Sequence, residues 1–191
     1  MALINVAARE IHGKIVYYGP GLGGKTTNLK FIHDRIPAGT KSDLISIATE
    51  TERTLFFDFL PLDLGTVHGF TIRFHLYTVP GQNRYERTRM AVLSGADGVV
   101  FVADAQRERL EDNLASLREL EQNLSRQGKR FSDHPLVLQY NKMDMPDTLP
   151  ASELDRHLNK LQAPGFEAIA LQGIGVFETL REICKRTTRK L

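Results

Sequence analysis

The stretch that most constrains this chain is Gly19-Pro20-Gly21-Leu22-Gly23-Gly24-Lys25-Thr26. It lies between a β-rich run at 14–18 and a segment, 25–35, whose Leu29, Ile32 and His33 recur at helical spacing. A G-x-x-x-x-G-K-[ST] loop in that context is built for phosphate. Its glycines let the backbone wrap so that amides point inward at an anion. The following helix turns its positive end toward the same anion. Lys25 adds a charge for the β and γ phosphates, and the Thr26 hydroxyl is a ligand for Mg²⁺. An ordinary glycine-rich turn has no need of the lysine and threonine at those two places. The loop establishes a nucleoside triphosphate site without choosing the base.

The remaining apolar segments alternate in type, as α/β folds do. Residues 54–60 and 70–78 read as strands joined by a turn at 65–69, an antiparallel hairpin. Residues 98–103 and 136–140 are continuous apolar runs, which suit central strands buried on both faces. Between them, 107–127 carries Leu110, Leu114, Leu117, Leu120 and Leu124 as a helical stripe. A helix is predicted over 150–161 with Ser152 as its cap, a short strand over 169–171 and a last helix over 176–190. The expected architecture is a six-stranded, mostly parallel sheet with one antiparallel edge strand and helices on both faces. All 191 residues form one domain, with no repeat or linker.

Asn141-Lys142-Met143-Asp144 follows the run at 136–140, at the strand end where open α/β sheets bind ligands. Guanine presents two adjacent donors, and an acceptor-only carboxylate at Asp144 satisfies both. Adenine would leave that carboxylate unpaired. The Lys142 stem can lie along the base while Asn141 ties this loop to the phosphate loop. The segment Ala168-Ile169-Ala170-Leu171 is expected to close over the base, with the Ala170 N–H meeting guanine O6; an ordinary strand end explains those residues equally well.

Composition excludes several classes. The formal net charge is +2, so no broad basic field points to nucleic acid. Cys184 is the only cysteine, which rules out a disulfide within the chain and suits a reducing cytoplasm. No apolar run reaches the roughly 18 residues of a membrane span. Met1 to Arg9 lacks the apolar core of a signal peptide, and no prenylation box ends the sequence.

Together with Thr78-Val79-Pro80-Gly81-Gln82, these motifs resemble the five guanine-nucleotide motifs of the Ras superfamily. The segments at 14–22, 49–61 and 73–82 are similar nearly letter for letter to the bacterial gliding-motility GTPases of the MglA group. This likeness covers essentially the whole chain. It implies a Ras-like P-loop fold, GTP and GDP binding with Mg²⁺, slow hydrolysis, and a role in cell polarity or motility with recruitment to a cell pole. It also implies an activating partner resembling MglB, a homodimer of the roadblock type.

By the same resemblance, the nucleotide contacts are Gly19, Gly21, Leu22, Gly23, Gly24, Lys25, Thr26, Thr27, Thr54, Thr78, Gly81, Asn141, Lys142, Asp144, Ala170 and Leu171. Thr26 and Thr54 would hold the metal, although the residues alone do not choose Thr54 over Thr49 or Thr51. Gln82 would orient the attacking water, and Arg53 would act as an arginine finger in cis, the alternative being an exposed loop arginine. One departure stands out. Thr78 occupies the place where most Ras-like proteins have the Asp that holds a metal-bound water. It leaves open a second reading, a GTP-dependent binding module with negligible turnover. A third, an adenine-nucleotide enzyme on the same fold, is opposed by residues 141–144.

Overall fold

The computed structural model describes residues 3–49, 52–67, 69–81 and 85–190, with backbone only at 3, 4, 47–49, 52–56, 64 and 67. The strands are β1 (Leu3–Asn5), β2 (Glu10–Tyr18), β3 (Ile45–Thr49), β4 (Glu52–Val67), β5 (Phe70–Thr78), β6 (Gly98–Asp104), β7 (Leu136–Asn141) and β8 (Gly165–Ala168). The α-helices are α1 (Lys25–Arg35), α2 (Glu86–Leu93), α3 (Leu110–Arg126), α4 (Ala151–Leu158) and α5 (Val176–Thr188). The strands form one sheet in the order β3-β4-β5-β2-β6-β7-β8, with β1 paired to β2. From β5 across to β8 every pairing is parallel, while β3–β4, β4–β5 and β1–β2 are antiparallel.

Period-two alternation assigns the two faces. Ile15 and Tyr17 of β2 pack with Val100, Val102, Leu29, Ile32 and Ile183 on the α1/α5 face. Their neighbours Val16 and Tyr18 pack with Val99, Phe101, Leu93, Leu120 and Leu124 on the α2/α3 face. Burial on both sides is why β6 is apolar at nearly every position and fully buried. Cys184 lies 7% exposed within the α1/α5 core.

The mostly parallel sheet with helices on both faces is as expected, and its strand count is higher. Eight strands stand among the described residues, because β1 and β3 are added at the margins. The hairpin is longer than its apolar run, since β4 continues through Val67 with a bulge between Asp63 and Thr66. The last strand is β8 at Gly165–Ala168 rather than 169–171. It pairs with Leu138–Asn141, and once β7 ends its continuation turns away, closed by an Ile169–Ile174 bridge. Ser152 is no cap: α4 begins at Ala151 after Pro150 and makes no side-chain capping bond. Proline before the first turn supplies the helical entry instead.

Candidate nucleotide site

The parallel neighbours of β2 are β5 on one side and β6 on the other. The connection after β2 runs to the β3–β5 side and the one after β6 to the β7 side, which opens a crevice at the C-terminal ends of these two strands. The glycine-rich loop fills that position and runs into α1 at Lys25. Lys25 is only 6% exposed and donates to the carbonyls of Gly19 at 2.9 Å and Pro20 at 2.6 Å. Burial, reinforced by the nearby Arg89 guanidinium, lowers its ammonium pKa to about 7. Bound phosphates would raise it again. Thr27 lies half-buried on the first turn of α1.

Asn141 joins three loops. Its Nδ2 donates to the Gly23 carbonyl at 2.8 Å, and its Oδ1 accepts the Ala170 N–H at 2.9 Å. Gly24 is in the left-handed region (φ 99°), and a Cβ there would come within 2.2 Å of Asn141 Nδ2. Only glycine satisfies both conditions. Deeper down, Asn28 of α1 and Gln139 of β7 exchange amide hydrogen bonds at 2.8 and 3.0 Å, and Gln139 also reaches Thr179 of α5. Phosphate helix, base-reading strand and last helix are thus held in register by buried amides.

The Ala170 N–H expected to meet guanine O6 is therefore already committed to Asn141. Leu171, the next residue, is 82% exposed. Lys142 is anchored by Asp104 at 2.6 Å. The same buried carboxylate lies 3.9 Å from Arg109, whose guanidinium donates to the Gly21 carbonyl at 2.9 Å. Asp144 is exposed at the loop surface, and no hydrogen bond or ion pair engages its carboxylate among the described residues. Leu22 is 88% exposed and left-handed (φ 63°) on the rim of the phosphate loop.

Gly81 packs directly against Gly21. A Cβ on Gly81 would stand 2.3 Å from Gly21 Cα and 2.4 Å from its N. Thr26 donates its hydroxyl to Asp58 Oδ2 at 2.7 Å, and Thr78 donates to the same oxygen at 2.9 Å. Oxygen donors of this kind fit Mg²⁺, since a threonine hydroxyl that gives its proton to a carboxylate keeps its lone pairs for a hard cation.

Gln82 lies outside the described residues, as do the side chains of Arg53 and Thr54. The Thr54 backbone belongs to β4, which pairs there with β3. Sequence reasoning missed Asp58, Asp104 and Arg109. Asp58 did carry a signal, being the single carboxylate within Phe56-Phe57-Asp58-Phe59-Leu60. No signal marked Arg109, which sits in a run of charges typical of a solvated helix face.

A phosphate loop at the sheet's switch point, tied by one asparagine to a base-reading loop, defines a Ras-like P-loop GTPase domain. Residues 2–186 match the model of the ADP-ribosylation factor family. The chain is 53% identical to the mutual gliding-motility protein MglA of Myxococcus xanthus, over all of this chain and 98% of that one. It is 29% identical to human ADP-ribosylation factor-like protein 4C over 81% of this chain and 72% of that protein. It is 28% identical to ADP-ribosylation factor-like protein 6 of Caenorhabditis elegans over 62% and 64% of the two chains. The chain belongs to the ADP-ribosylation factor family, and within it is an MglA-type small GTPase. Among the described residues no helix is long and apolar enough to cross a membrane.

Proposed function

We propose that this GTPase is a Mg²⁺-dependent switch for cell polarity or gliding motility. It binds GTP, hydrolyses it slowly, and is accelerated by a roadblock-type homodimer resembling MglB. It works in the cytoplasm and is recruited to a cell pole. The observation that supports the reading is the Asn141 tie, which joins the loop bearing the exposed Asp144 carboxylate to the phosphate loop. Asp144 reads the guanine donor pair, and the Leu171 N–H takes the O6 contact that Ala170 cannot make.

Lys25 neutralises charge on the β and γ phosphates, and Thr26 with Thr54 would hold the metal. Mg²⁺, when bound, offsets phosphate charge as the terminal group departs. The Gly81 N–H turns toward the γ-phosphate once the loop leaves Gly21. Gln82 orients the water, and Arg53 stabilises charge developing in the transition state. Arg53 acts only once its segment of β4 leaves the pairing with β3, which is the basis for expecting slow intrinsic turnover and a need for the partner.

The test is single-turnover GTP hydrolysis with and without the homodimer. Stimulated conversion of GTP to GDP is expected. Tight GTP binding with no turnover in either case would favour the binding-module reading, which Thr78 motivates.

A further inference from the structure

Asp58 is fully buried on β4, yet it faces a subsite otherwise built of hydroxyls. Its Oδ2 accepts from Thr26 at 2.7 Å and from Thr78 at 2.9 Å, and its Oδ1 accepts from Ser46 at 2.8 Å. Its backbone N–H donates to Thr78 Oγ1 at 2.8 Å. An ionised carboxylate has about four acceptor sites, so these bonds leave one. Among the described residues no ion pair serves it, and all three side-chain donors are neutral. Burying a carboxylate there is costly; the buried Lys25 ammonium, which Asp58 helps to keep charged, offsets part of that charge from beyond ion-pair distance, and a cation held by one of those hydroxyls would add to it.

We propose that Asp58 supplies the metal subsite with the carboxylate that position 78 lacks, acting through the Thr26 hydroxyl as a positioning residue. Thr78 then serves as the hydrogen-bond partner that aims Asp58. The inference rests on the nucleotide-site reading given above. Two features support it.

First, a threonine hydroxyl has a single proton. By giving it to Asp58, Thr26 turns its lone pairs away from the carboxylate and toward the phosphate side, which is how an outer carboxylate orients an inner ligand. Second, the strand pairing puts Asp58 where it is needed. Phe59 of β4 pairs with Tyr77 of β5, so Asp58 and Thr78 are the next residues across the hairpin. A carboxylate on β4 therefore arrives beside a side chain on β5 at the same level of the sheet. The remaining acceptor site of Asp58 is available to a metal-bound water.

The competing possibility is that Asp58 only staples β4 to β3 and β5. Release of a fluorescent GDP analogue from the full chain, followed from excess EDTA up to millimolar Mg²⁺, separates the two. For Asp58→Asn we expect release in EDTA within about twofold of wild type, with the Mg²⁺ concentration for half-maximal slowing raised about 10–100-fold, the usual cost of losing an outer-sphere partner. Thr78→Asp alone should impair the site by setting two carboxylates side by side. The exchange Asp58→Thr with Thr78→Asp should regain wild-type Mg²⁺ dependence, and it answers the question even where Asp58→Asn folds poorly. A wild-type Mg²⁺ dependence in Asp58→Asn would overturn the proposal. So would faster release by an equal factor with and without metal, or failure of the exchange to restore the response. If wild type releases the GDP analogue at once in all conditions, the nucleotide reading itself falls and takes this inference with it.

Discussion

Replacing Asn141 by alanine removes the hydrogen bonds that join the phosphate loop to the base-reading loop. Asn141 and Ala170 are each 2% exposed, so the Ala170 N–H loses its acceptor out of reach of water. An orphaned buried donor costs about 1–3 kcal/mol, and the lost bond to the buried Gly23 carbonyl about 1 more. A destabilisation of about 2–4 kcal/mol is expected in urea unfolding without nucleotide, together with at least tenfold weaker GDP binding. Gly24→Ala approaches the same contact from the other side. In wild type its Cβ would lie 2.2 Å from Asn141 Nδ2, whereas in the Asn141→Ala background only the left-handed backbone strain remains, about 1–2 kcal/mol. The double variant should therefore be at least about 1 kcal/mol more stable than the sum of the single costs implies. A cost under about 0.5 kcal/mol for Asn141→Ala, or additivity of the two substitutions, would show that Asn141 does not join the loops.

Three further outcomes follow from the site. Above pH 7 the nucleotide-free protein holds Lys25 largely neutral, while phosphates restore its proton, so GDP binding should take up a proton at pH 8 and weaken by up to about tenfold per pH unit above 7. Below 7 both states are protonated and this dependence vanishes; calorimetry in buffers of differing ionisation enthalpy, showing no uptake at pH 8, would contradict it. Gly81→Ala must displace the loop that follows Thr78 from Gly21, because its Cβ meets only backbone; single-turnover hydrolysis should fall about 10²-fold with GDP affinity nearly intact, and a wild-type rate would place Gly81 away from the chemistry. Arg53→Ala should bind GTP and the homodimer normally yet lose about 10³ of the stimulated rate; full stimulation would make Arg53 an ordinary surface arginine.

Local chemistry made much of this protein legible. The phosphate loop, the base-reading loop and the buried strands β6 and β7 each declare themselves within a few neighbouring residues. The reading failed where tertiary pairing decides. Gly165-Phe166-Glu167-Ala168 has no strand pattern of its own and is a strand only because β7 offers it an edge. Asp58 interrupts an apolar run, but its role appears only when β4 is laid against β5 and Thr26 is brought up by α1. The Asn141 acceptor of the Ala170 amide could not be read from neighbouring residues, because the two lie 29 residues apart in sequence. Thr78, read as a departure from its motif, makes physical sense only beside Asp58.

Competition between guanine and adenine nucleotides shows whether Asp144 reads the base. A fluorescent GDP analogue bound to the full chain should be displaced by GDP and GTP at stoichiometric levels and not by ADP or ATP at a thousandfold excess. In Asp144→Asn that preference should move toward xanthine nucleotides, because an amide can donate to the added carbonyl. Equal displacement by ATP and GTP from wild type, or an Asp144→Asn variant with unchanged guanine preference, would contradict the assignment of this loop as the guanine reader.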